Sequence, residues 1–118
     1  MYKKIVNEFL RWLEMPIAMM PGITGSWVRS FFYQKIFGNS CKLLVGTGCQ
    51  FISRKEILFS GKIYIGRNCF FTAEGGRIII DGGARFNVNC HINAAGGGTI
   101  HIGKDCMIGP NVVMRSAN

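Results

Sequence analysis

A hexapeptide spacing of bulky apolar residues constrains this chain more than any other feature. They fall at Val45, Phe51, Phe59, Ile65, Phe71, Ile80, Phe86, Ile92, Ile102, Ile108 and Met114, with gaps of 6, 8, 6, 6, 9, 6, 6, 10, 6 and 6. Taken in threes, the series gives rows whose members are 20 to 22 residues apart: Val45/Ile65/Phe86/Ile108, Phe51/Phe71/Ile92/Met114 and Phe59/Ile80/Ile102. A period of six within a fixed triplet predicts a parallel β-helix of about four coils, each with three short strands that bury their apolar side only against neighbouring coils. Every longer gap follows the Phe51/Phe71/Ile92 row, so one corner of the prism carries loops and two stay tight.

The cysteines test this register, because they did not set it. Cys49, Cys69 and Cys90 each lie four residues after a member of the first row, and Cys106 lies four after Ile102, where Ala84 holds the equivalent place after Ile80. A narrow core needs small residues beside large ones, and an unpaired cysteine behaves as a small hydrophobe. The residues directly after the first row are Gly46, Gly66, Asn87 and Gly109, and those after the third are Ser60, Asp81 and Gly103. They suit tight corners whose backbone angles Gly, Asn and Asp tolerate best.

The 118 residues, 48% of them hydrophobic, bound one domain with a modest core. Residues 1–40 are expected to form a helical segment that caps the solenoid, and 41–118 the β-helix itself, incomplete at its C-terminal end. The cysteine count is odd, four of the five are placed in the core, and no secretory leader pattern is evident; a reducing, cytoplasmic setting is expected, at most peripheral to a membrane's inner face. The net charge of +8 comes from scattered Lys and Arg with no basic run longer than two, so nucleic acid is not an expected partner.

Residues 2–14 read as an amphipathic helix with Tyr2, Ile5, Val6, Phe9, Leu10 and Leu13 on one face, interrupted by Met15-Pro16. A second helix is predicted from about Ser26 to Phe37, with Thr24 or Ser26 as N-cap and Gly38 as its stop. Its residues Trp27, Val28, Phe31, Phe32, Ile36 and Phe37 are heavily apolar. Two roles are open: both helices bury these side chains over the end of the solenoid, or their basic amphipathic pattern meets a membrane surface. The apolar stretch is too short and interrupted to span a bilayer.

From Ile100 to Met114, through Ile102-Gly103-Lys104-Asp105-Cys106-Met107-Ile108-Gly109-Pro110-Asn111, the chain resembles the hexapeptide-repeat acyltransferases. More narrowly it resembles sugar O-acetyltransferases, including the maltose and galactoside enzymes and those of polysaccharide biosynthesis. The resemblance covers about residues 42–118, and the Pro21-Gly22-Ile23-Thr24-Gly25 turn with Arg29 and Tyr33 resembles the polysaccharide branch. It implies a left-handed winding, a homotrimer with sites between subunits, and acetyl transfer from acetyl-CoA to a saccharide or nucleotide-linked sugar hydroxyl. A His general base would take the hydroxyl proton as the oxygen attacks the thioester carbonyl. That His is expected directly after Ser116-Ala117-Asn118, which makes Ser116 and Asn118 candidate rim residues and leaves no catalytic residue within the 118. Little or no catalysis is expected from this stretch alone.

The resemblance also makes Asn87 the candidate acceptor-binding residue, since an amide both donates to and accepts from sugar hydroxyls. The alternative is that Asn87 only makes a corner. His91 and His101 each precede an inward residue and should point outward, as ordinary surface histidines. The cysteines lack the close pairs of a zinc site, so no metal is expected. Gly75-Gly76 and Gly96-Gly97-Gly98 are loop corners, because no Lys-Ser/Thr follows them. A second functional class stays open: a non-catalytic interaction module that pairs through an exposed coil edge.

Overall fold

The computed structural model describes residues 2–38 and 40–116. Helices α1 (Tyr2–Ala18) and α2 (Gly22–Phe37) precede strands β1 (Cys41–Val45), β2 (Gln50–Ile52), β3 (Ile57–Phe59), β4 (Gly61–Ile65), β5 (Phe70–Thr72), β6 (Arg77–Ile80), β7 (Arg85–Phe86), β8 (His91–Ala94), β9 (Thr99–Ile102), β10 (Met107–Ile108) and β11 (Val113–Ser116). The strands form three parallel sheets in the orders β1-β4-β7-β10, β2-β5-β8-β11 and β3-β6-β9. Strands three apart in sequence are neighbours, so the chain winds as a parallel β-helix of about four turns, and the winding is left-handed.

Register follows the apolar rows. Val45 pairs with Ile65, Ile65 with Phe86 and Phe86 with Ile108; Phe51, Phe71, Ile92 and Met114 align in the second sheet, and Phe59, Ile80 and Ile102 in the third. Inside, the Phe51 and Phe71 rings stack at 5.3 Å, and Phe71 meets Phe86 edge-on at 5.1 Å. Each buried ring of this kind stabilises by about 1.5–3 kcal/mol.

Cys49, Cys69 and Cys90 form the expected buried column, and Val112 continues it as a partly buried member. They do more than fill space. Each thiol donates to the corner carbonyl of the next coil: Cys49 Sγ to Gly66 O at 3.1 Å, Cys69 to Asn87 O at 3.1 Å and Cys90 to Gly109 O at 3.2 Å. Burial raises the Cys41 and Cys90 thiols above their ordinary range, and the interaction with Cys49 followed by burial does so for Cys69, so these three stay protonated; the same interaction with Cys69 holds the Cys49 thiol below its ordinary range.

The corner chemistry differs from the sequence expectation. Gly46, Gly66, Asn87 and Gly109 do not carry the left-handed backbone; it falls two residues later, at Gly48 (φ 75°), Asn68 (58°), Asn89 (60°) and Asn111 (62°). At Gly46 and Gly66 the requirement is space. A Cβ would lie 2.6 Å from Arg67 N at the first and 2.9 Å from the Asn87 carbonyl carbon at the second.

The helices also depart from expectation. Pro16 does not end α1, which runs on to Ala18, because Ala18 is buried and its carbonyl accepts the Gly48 N–H at 2.8 Å. Tertiary contact overrides the local preference. Helix α2 starts one turn early, at Gly22, with Pro21 as an N-cap that makes no side-chain hydrogen bond; Gly25 N–H reaches Pro21 O at 3.3 Å and opens the ladder. Gly38 ends it as predicted, at φ 97°.

Helix α2 closes the solenoid through Tyr33 and Phe37. Tyr33 is wholly buried and meets the Phe51 ring at 4.9 Å, and Phe37 meets Phe59 at 4.9 Å. Tyr33 Oη donates to Glu14 Oε2 at 2.8 Å, while Arg54 of the first coil pairs with the other Glu14 oxygen. Burial, followed by the Glu14 charge, keeps the phenol well above its usual range. Buried Arg29 donates from Nε to Val45 O at 2.7 Å and from Nη1 to Met20 O. Of the two roles left open for the helices, burial over the solenoid end does not hold for Trp27 and Phe31, which stay exposed.

Two measurements check this arrangement. Arg29→Ala, which strands the Val45 carbonyl and opens packing, is expected to cost about 2–4 kcal/mol in chemical denaturation. In native-state alkylation read by mass spectrometry, half-exposed Cys106 is expected to react before the other four cysteines, which are buried.

Candidate functional site

The first sheet turns one row of side chains outward: Leu44, Tyr64, Arg85 and Met107 stand in register from coil to coil. Strand alternation puts them opposite the inward residues Leu43, Val45, Ile63, Ile65 and Phe86. Beside this row runs the corner column Gly46, Gly66, Asn87, and above it stand Ser26 and Arg29 of α2. Together they line a groove of about 570 Å³. Two small glycines leave the space, and the outward row supplies the chemistry.

Three guanidinium groups line this groove, those of Arg29, Arg67 and Arg85, and no carboxylate among the described residues does. Arg29 is committed to two backbone carbonyls. Arg67 and Arg85 are exposed and form no ion pair among the described residues; Arg85 lies 6.0 Å from the centre of the Tyr64 ring. A basic, aromatic, carboxylate-free wall attracts anions and offers a face on which a sugar ring or base can stack.

Asn87 sits in this groove, exposed. Its Oδ1 accepts the Val88 N–H at 2.8 Å, which fixes the amide orientation and leaves the Nδ2 hydrogens free of partners among the described residues. It therefore presents donors to a ligand, where the sequence suggested donor and acceptor alike. The left-handed residue of this corner is Asn89, not Asn87, so corner making does not require an asparagine at 87.

The other candidate residues lie elsewhere. Ser116 ends β11 on the second sheet, where its Oγ accepts the Ala95 N–H at 3.2 Å beneath the glycine loops. It is at a different corner from Asn87, and one chain does not bring the two together in the groove. Ala117 and Asn118 lie outside the described residues. His91 is exposed and meets Phe70 edge-on at 4.9 Å. His101 is exposed too, but it has a partner that the sequence reading missed: Asp81 Oδ2 lies 2.9 Å from its Nε2. The signal was the pitch itself, since Asp81 and His101 are one coil apart. This pair sits on the third sheet, and neither histidine lines the groove.

Comparisons with protein-family models, with curated proteins and with solved structures found no match.

The two asparagines of this corner should separate in a thermal-unfolding series. Asn89→Ala, which forces alanine into the left-handed region, is expected to cost about 1–2 kcal/mol. Asn87→Ala, at an exposed position with ordinary backbone angles, should stay within about 1 kcal/mol of the parent. A larger loss at 87 than at 89 would show that Asn87 serves the corner.

Proposed function

We propose that this chain carries the acceptor-binding coils of an acetyl-CoA-dependent O-acetyltransferase that modifies a saccharide hydroxyl. One observation carries the reading: an asparagine stands where the two coils above have glycine, in a groove flanked by Arg67 and Arg85, and among the described residues its amide hydrogens lack partners and neither guanidinium group forms an ion pair. A donor at the corner suits a sugar hydroxyl oxygen, and the arginines suit a charged group on the same molecule. Among acceptors, a nucleotide-linked sugar or an acidic saccharide fits this wall better than a neutral one.

Acetyl-CoA supplies the acetyl group as a thioester when it binds, and the resemblance, rather than any described residue, names it. The groove residues hold the acceptor, and Tyr64 and Arg85 orient it by stacking and charge. Asn87 fixes one hydroxyl by donating to it. The base is the group expected directly after Asn118. Since Asn87 and Ser116 occupy different corners of one chain, the reading requires them to meet across a subunit boundary, as in a trimer with shared sites.

Calorimetric titration tests the acceptor side. Nucleotide-linked sugars are expected to bind more tightly than the matching free sugars, and Asn87→Ala should weaken that binding about 3- to 10-fold while the fold is retained. Unchanged affinity in this variant would contradict the assignment. Release of CoA thiol by a mass-verified 118-residue chain would contradict the placement of the base.

A further inference from the structure

We infer that α1 and α2 form a docking face for an anionic lipid surface. Helix α1 is amphipathic, yet most of its apolar arc faces outward, with only Leu10 and Ile17 half-buried beside the inward edge. Glu14 and Ala18 are its buried residues among those described, while Ile5, Phe9, Trp12, Leu13 and Met15 are exposed. A surface helix that packs on its own domain normally does the reverse. Helix α2 repeats the pattern. It buries Gly25, Arg29 and Tyr33, and turns Ile23, Trp27 and Phe31 outward at successive i, i+4 positions.

The sequence holds two tryptophans, and both are among these side chains, Trp12 at 72% exposure and Trp27 at 75%. The polar contacts explain why the helices cannot simply roll over to bury this surface. Glu14 is held between Tyr33 and Arg54, and Arg29 between Val45 and Met20. The apolar arcs are thereby fixed outward.

Charge selects the occupant. The described helix side chains expose three cations, Lys4, Arg11 and Lys35, against one carboxylate, Glu8, because Glu14 is buried in its ion pair. Lys35 Nζ sits 5.3 Å from the Phe31 ring centre, a cation at the rim of an aromatic patch. A second copy of this face would bring like charges together, whereas anionic headgroups neutralise them while Trp, Phe and Ile enter the acyl boundary. No helix is long and apolar enough to cross a membrane among the described residues, and the contact inferred is one of helices lying along the surface.

Vesicle co-sedimentation with native tryptophan fluorescence tests this on the whole chain. Binding and a blue shift are expected with phosphatidylcholine vesicles that contain phosphatidylglycerol, much less with phosphatidylcholine alone, and both should weaken as salt is raised. The double variant Trp27→Ser, Phe31→Ser changes exposed positions only; its circular dichroism should match the parent, and its vesicle binding should fall about tenfold or more. A variant Lys4→Glu, Arg11→Glu should lose the preference for anionic vesicles. Three results would overturn the inference: no binding to either vesicle, equal binding to both, or a blue shift with rising molar mass in the absence of lipid, which would identify a second copy as the occupant. Because none of these readouts uses an acceptor sugar or acetyl-CoA, the result stands apart from the transferase reading.

Discussion

The carbonyls of the first inward row all point toward the coil above. Ile65 O accepts from Gly46, Phe86 O from Gly66 and Ile108 O from Asn87, at 2.8 to 2.9 Å. Val45 has no coil above it, and a buried carbonyl without a donor costs roughly 1–3 kcal/mol. Arg29 fills that vacancy from α2. The same problem recurs for the apolar lining, because Phe51 and Phe59 face upward into open space unless something covers them. Tyr33 and Phe37 do so. One helix thus supplies both the missing hydrogen-bond donor and the missing ring contacts of a further coil.

That solution has consequences away from the core. With Arg29 and Tyr33 directed down into the solenoid, the opposite side of α2 must face outward, and there the sequence places Ile23, Trp27 and Phe31. Helix α1 is tied by Glu14 to Tyr33 and Arg54, which leaves its apolar arc uncovered as well. The cap that ends the β-helix therefore creates the surface from which lipid docking is inferred, and it places α2 beside the arginine-lined groove. Coil geometry, cap and surface follow from the same few polar contacts.

The repeat made the architecture legible because the β-helix converts position along the chain into position in space with a nearly constant step. Every row of Val45, Phe51 and Phe59 could be read directly, and so could the Cys49/Cys69/Cys90 column. Three features of the fold were not legible. The hydrogen bonds from those thiols depend on which corner carbonyls turn inward, and composition does not report that. The left-handed residue at each corner of the first row was placed two positions early, since Gly46 and Gly66 are small for clearance and not for their backbone angle. The outward face of the helices was left open because amphipathicity identifies an apolar arc without saying what it meets. Glu14 reversed the ordinary answer. At the groove, Asn87 could be singled out, but Arg67, Tyr64 and Arg85 acquire meaning only when three coils stack, and the Asp81 partner of His101 needed the same step.

Vertical stacking in parallel register is the claim on which fold, groove and cap all rest, and isoleucine methyl groups report it directly. In a nuclear Overhauser experiment on the isoleucine-labelled chain, Ile78 should show close contacts to Ile57 and Ile100, and Ile80 to Ile102, as the parallel pairing of β3, β6 and β9 requires. Dominant cross-peaks between Ile78 and Ile102 and between Ile80 and Ile100, the pattern of an antiparallel pair, would contradict the account.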